Sequence, residues 1–139
     1  EIPVTREFSI EEAGGEDVVQ AISARAITCE RVIQLHLDRI SAFDKRGPSI
    51  NAMISISESA LDEARRLDER LSTGGIVGPL HGVPIVLKDN FDVENMPTTA
   101  GSPALQANVA RRDAYGGAAP VVPVRRDCSP ADLLQAFHA

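Results

Sequence analysis

The stretch Ile76–Asn90, IVGPLHGVPIVLKDN, decides how the rest of the chain is read. Gly78, Pro79, Gly82 and Pro84 break any helix there. Ile85, Val86 and Leu87 then run on without polar alternation, the pattern of a strand covered on both faces. Lys88 ends the run, and Asp89 and Asn90 follow as turn formers. An ammonium set against buried aliphatics is disfavoured by desolvation and gives up its proton more readily than a surface lysine. A neutral lysine serves as a general base or activates a hydroxyl nucleophile. The alternative is a lysine whose head reaches into water, as strand-end lysines commonly do. The residues alone leave both standing.

Working outward, periodicity predicts the neighbouring elements. Residues 60–71 place Ala60, Leu61, Ala64, Leu67 and Leu71 on one helical stripe, with Asp62–Arg66 and Arg65–Glu69 spaced to pair across a turn. Gly74-Gly75 stops that helix. Before it, Ile54 and Ile56 alternate with Ser55 and Ser57, which predicts a half-buried strand over residues 50–57. Earlier still, Val32, Ile33, His36, Leu37, Ile40 and Phe43 recur at helical steps after Thr28, a predicted N-cap. Asp44-Lys45-Arg46-Gly47-Pro48 ends that helix, Gly47 supplying a left-handed residue and Pro48 barring continuation. Residues 1–15 form a polar lead-in, and 16–23 a short amphipathic stretch with Val18, Val19 and Ile22 on one side. Helix, strand, helix and buried strand in succession predict an α/β layered fold.

Composition narrows the function classes. The chain has 139 residues, enough for one small domain. Its net charge of -6 disfavours binding to nucleic acid, since no basic excess is present to neutralise phosphates. No apolar run approaches the roughly 18 residues of a membrane span. Cys29 and Cys128 lie far apart and outside any CxxC spacing, which predicts neither a disulfide framework nor a zinc site. Glu1 reads as a processed terminus or a cloning boundary, so the compartment stays open between cytoplasmic and exported.

Other polar candidates read mainly as structural. His36 lies on an apolar helix stripe and His81 in a Gly/Pro-rich loop, both as packing residues, and neither has a metal-like partner at i+3 or i+4. His138 suits a helix C-terminus. Thr98-Thr99-Ala100-Gly101-Ser102 is a small-residue turn whose donors suit an anion or a carbonyl. Gly116-Gly117 lacks phosphate-loop spacing.

GPLHGVPIVLKDN at 78–90, with TTAGS at 98–102, closely resembles the lysine-bearing segment of amidase-signature hydrolases. That family includes peptide amidases, fatty acid amide hydrolases, malonamidases and one component of glutamyl-tRNA amidotransferase. The likeness extends upstream through LHLDRISAFDKRGPSINAMI and SALDEARRLDERL, and downstream to AGSPALQ and RRDAY. The turn Asp44–Pro48 and residues 101–106 resemble bacterial peptide amidases in particular. The resemblance implies an α/β/α fold around a mixed sheet, of which residues 1–115 form the N-terminal part with an incomplete sheet. It also implies amide hydrolysis by a Ser-Ser-Lys mechanism: one serine attacks the amide carbonyl, a second on a cis peptide relays its proton, and a lysine is the final base. Lys88 matches that lysine. Asp89 and Asn90 match residues that orient its loop, and Ser102 matches a supporting serine nearby. The substrate implied is a small amide or peptide amide, with no metal or organic cofactor.

The sequence also departs from the family. The two serines belong to a Gly/Ser-rich signature of the GGSSGGS kind, and after Lys88 the only serines are Ser102 and Ser129. Residues 116–139 diverge from the family pattern, Pro120 and Pro123 forbidding a regular helix there. They are expected to be out-of-frame or disordered, with a short helix starting at Ser129-Pro130, or else the tail of a genuine short paralogue. The chain by itself is therefore expected to be inactive. A reading of a different class is a non-catalytic module that binds a partner or self-associates through uncovered sheet edges.

Overall fold

The computed structural model describes residues 8–114. Three helices build the core. Helix α1 is Gly15–Ser23, α2 is Cys29–Arg39 and α3 is Ala60–Thr73. The chain leaves α2 through a π-helical turn at Ile40–Lys45 and later forms a 3₁₀ turn at Pro103–Leu105.

Each of the first two helices starts where the sequence supplies an acceptor for a free amide. The Asp17 carboxylate reaches back to the Gly14 N–H at 2.8 Å, and the Thr28 hydroxyl accepts the Arg31 N–H at 3.1 Å. Such caps contribute about 1 kcal/mol each. Helix α2 has a second, long-range cap. Asp68 on α3 accepts the amides of Cys29 at 2.8 Å and Glu30 at 3.0 Å, satisfying the first two N–H groups of α2 from across the helix pair. The predicted pairing of Arg65 with Glu69 is replaced. Arg65 binds Asp62 at 2.7 Å and Glu30 of α2 at 2.8 Å, because α2 packs on that side and offers a closer carboxylate.

Val18, Ile22, Cys29, Val32, Ile33, Ala64 and Val83 form the buried core, with Ala60, Leu61, Leu67 and Leu71 packed against it. The predicted α3 stripe and Val32, Ile33 and Leu37 of the α2 stripe are the faces that meet, whereas Phe43 at the stripe's end is exposed in the π-helical turn. Val83 belongs to the loop after α3, and the preceding Gly82 lets that loop press onto the helices. Gly82 has φ +76°, and a Cβ there would lie 2.6 Å from both Cys29 Sγ and Ile22 Cδ1. Only glycine fits this combination of left-handed backbone and close approach.

The predicted strands are corrected. Among the described residues there is no strand, only a single antiparallel bridge between Pro97 and Val109. Residues 50–57 and 85–87 take no regular structure, and the N–H groups of Ile54–Ser57 and Ile85–Leu87 find no partner among the described residues. A strand exists only beside another, and nothing here lies alongside. The alternation at 54–57 is present with its sign reversed: Ile54 and Ile56 are exposed, Ser55 and Ser57 less so. The start of this segment is held by Asp44, a buried carboxylate that accepts the Ala52 N–H at 2.6 Å and pairs with Lys45 at 2.9 Å.

The predictions for residues 116–139, including Gly116-Gly117, Cys128, Ser129-Pro130 and His138, lie outside the described residues. No helix among the described residues is long and apolar enough to cross a membrane.

Candidate active site

Lys88 opens a tight turn in which its carbonyl accepts the Phe91 N–H at 3.0 Å, with Asp89 and Asn90 between. Asp and Asn suit these positions because their short polar side chains stabilise turns locally. Of the two readings of Lys88, the exposed one holds: the side chain is exposed, and Ile85–Leu87 behind it are only half-buried. Its ammonium makes no ion pair or hydrogen bond among the described residues. The chain's other lysine, Lys45, is tied to Asp44 and to the Met53 carbonyl. Asn90 is likewise exposed.

Asp89 turns inward from the same turn. Its carboxylate accepts the Thr99 N–H at 3.0 Å, the Thr99 hydroxyl, and at 3.3 Å the Gly101 N–H, which the Thr99 Oγ1 also accepts at 3.1 Å, while its carbonyl accepts the Ala100 N–H at 2.9 Å. Three successive amides of the TTAGS turn thus converge on one residue. The turn presents them because Ala100 and Gly101 are both left-handed, at φ +47° and +74°. Such an arrangement of consecutive amides is a nest for an anion. The anion-holding capacity expected of this turn is therefore used by the chain's own carboxylate. These donors, the Thr99 hydroxyl foremost, hold the Asp89 carboxyl below the usual carboxylate range.

Thr99 is buried, and Ser102 follows it with its N–H on the Thr99 carbonyl at 2.8 Å. Ser102, Thr99, Gly101, Pro103, Gln106 and Ile54 line an open concavity of about 250 Å³. The fold thus joins Asp89 to Ser102 through Thr99, whereas Lys88 and Asn90 lie on the outer side of their turn and do not line the concavity. Thr99 was not singled out from the sequence as a site residue. The sequence signal was the small-residue turn itself, which announces free donors without naming their acceptor.

His81 behaves as a packing residue, as expected. It is buried, and its Nδ1 accepts the Val77 N–H at 3.2 Å, which places the proton of the neutral ring on Nε2. Burial pushes its pKa down, partly opposed by the Asp68 charge and the Leu67 carbonyl. His36 Nδ1 lies 2.8 Å from the Val32 carbonyl within its own helix. No cluster of metal-ligating side chains occurs among the described residues.

The class follows from solved structures. The native peptide amidase of Stenotrophomonas maltophilia superposes with a TM-score of 0.72 at 38% identity, over 76% of this chain and 21% of that one. An amidase family protein of Bacillus anthracis gives a TM-score of 0.73 at 30% identity, over 78% and 21%. The described architecture is thus a portion of the amidase-signature fold. A family model described as Amidase matches residues 31–116, and the chain belongs to the amidase family. It is 38% identical over 99 residues to the indoleacetamide hydrolase of Bradyrhizobium diazoefficiens, covering 70% of this chain and 18% of that protein. It is 32% identical over 115 residues to a putative amidase of Schizosaccharomyces pombe, covering 82% and 19%. The chain spans about a fifth of the length of the relatives it matches.

Proposed function

We propose that this chain carries the lysine base of an amide hydrolase, with Lys88 in that role and Asp89, Asn90 and Ser102 supporting it. The observation that carries the reading is the Amidase family match across residues 31–116, which includes the whole lysine turn. The substrate class favoured is a carboxamide, and similarity to peptide amidase favours a peptide amide. In this reading the amine acts as a base once water is stripped from it. In this reading the cover is supplied by portions of the family fold that these residues do not include. Those portions also pair with the extended segments at 50–57 and 85–87, turning them into strands of an α/β/α mixed sheet. The attacking serine and its relay partner come from a Gly/Ser-rich segment that these 139 residues lack, so the chain alone turns over no amide. No metal or organic cofactor enters the scheme.

The test is a chimera in which residues 8–114 replace the matching segment of the Stenotrophomonas maltophilia peptide amidase, assayed by ammonia release from a peptide carboxamide. Turnover that Lys88→Ala lowers by at least about a thousandfold supports the role, because loss of one member of such a catalytic unit removes most of its effect. Turnover that survives the substitution refutes it. An identity of 41% to a glutamyl-tRNA(Gln) amidotransferase component of Acidothermus cellulolyticus favours, as a narrower alternative, amide chemistry within an amidotransferase. A reading of a different class, self-association, is favoured by the exposed Ile50, Ile54 and Ile56, the latter two on a backbone whose amides have no partner among the described residues. A monomeric mass by size-exclusion chromatography with light scattering sinks that one.

A further inference from the structure

We propose that Asp89 and Thr99 are positioning residues for the Lys88 amine, a latch joining the turn that carries the lysine to the turn that ends in Ser102. The proposal rests on the reading of Lys88 as the base.

The lysine turn is tied to the molecule on one side only. Upstream, the amides of Ile85, Val86, Leu87 and Lys88 find no partner among the described residues. Among the described residues the Lys88 side chain holds no partner either, and its carbonyl closes only the local turn onto Phe91. What ties this turn to the rest of the molecule is Asp89, through four acceptor contacts spread over Thr99, Ala100 and Gly101. The receiving turn is itself anchored, for Thr98 N–H binds the Asn108 carbonyl at 2.9 Å and Ala110 N–H the Met96 carbonyl at 3.1 Å. Asp89 is thus fully engaged as an acceptor and unsuited to be the base. Its place in the chain, one peptide bond from Lys88, makes it the fixed point from which the flexible lysine stem projects. Charged hydrogen bonds of this kind are the strong class, so one half-buried carboxylate and one buried hydroxyl hold a turn that lacks other ties.

The test uses the 139-residue chain. In wild type, Thr99→Val and Thr99→Ser, amide exchange and ¹⁵N relaxation are followed at Lys88, Thr99, Gly101, Val32 and Ile33. Thr99→Val is expected to speed exchange at Gly101 by roughly tenfold, since that N–H loses the Thr99 Oγ1 acceptor directly, and, as the readout of the latch itself, to mobilise the Lys88 amide, while Thr99→Ser restores both. Val32 and Ile33 stay protected, because the latch lies outside the helical core. An unchanged Lys88 amide, or failure of serine to restore it, overturns the proposal. So does joint loss of protection at Val32 and Ile33, which makes the pair a support of the whole fold. A second measurement needs no variant. On acidification of the wild type, the Lys88 and Gly101 amide shifts are expected to move with one midpoint below the ordinary carboxylate range, and separate midpoints overturn the latch. These readouts involve no turnover, so the latch and the role of Lys88 as base fail independently.

Discussion

The Asp68 carboxylate on α3 accepts the Cys29 amide at the first turn of α2, at 2.8 Å, across 39 residues of sequence. With the Glu30 amide beside it, this one side chain caps a helix other than its own. Asp68→Ala leaves two amides unsatisfied at a partly buried helix start and is expected to cost about 2–3 kcal/mol, read as a shift in urea midpoint with unchanged slope. A variant as stable as wild type would mean that water replaces the cap.

Gly82→Ala is expected to be among the most damaging single changes. The added methyl meets Cys29 Sγ and Ile22 Cδ1 at 2.6 Å, and alanine is strained at φ +76°. Strain and overpacking together are expected to cost about 2–4 kcal/mol. Thermal melting followed by circular dichroism checks this. Gly75→Ala is the control, since open space surrounds that glycine and only its left-handed backbone is penalised.

Cys29 is a buried thiol whose pKa is pushed up to about 12 by burial first and by the neighbouring Asp68 carboxylate second. In a Cys128→Ser background it is expected to ignore Ellman's reagent at mildly alkaline pH until the protein unfolds, since the thiolate is the reactive form. Rapid labelling of the native protein would show that the α1–α2 core opens readily.

Stability is expected to decline from about pH 7 towards about pH 5, through His81. Its folded pKa lies below the ordinary value because the ring is buried, so the unfolded chain takes up the proton first. Stability from the neutral ring is therefore complete above the unfolded pKa and falls as pH drops below it. Melting temperatures across this range check the slope, and His81→Asn should flatten it. A slope identical in wild type and variant would assign the effect elsewhere.

Lys88→Ala is expected to change the stability of the chain by less than about 0.5 kcal/mol, because the exposed side chain holds no partner among the described residues. Denaturant titration decides it. A large loss would reveal a structural contact and weaken the case for a residue kept for chemistry.

The helices were legible because their signals are local. Thr28 caps where its hydroxyl predicts, the α3 stripe and Val32, Ile33 and Leu37 of α2 are the packed faces, and Gly47 takes the left-handed conformation at φ +53°. The strands were not, for a physical reason. Alternation at Ile54 and Ile56 fixes spacing but not which face is covered, and among the described residues no neighbouring strand pairs with it. The site was legible by half. The apolar run before Lys88 left open whether the amine is buried or reaches water, and the half-buried Ile85–Leu87 leave it exposed. The link from Asp89 to Thr99 spans ten residues, and no short-range pattern encodes it.

Because Asp89 fills the nest at residues 99–101, an anion arriving from solvent must compete with one leashed to the same loop. A short tether gives such a resident ligand an effective concentration in roughly the millimolar range, without any diffusion to a bound state. A free phosphate or carboxylate present below that concentration therefore loses this contest at the TTAGS turn.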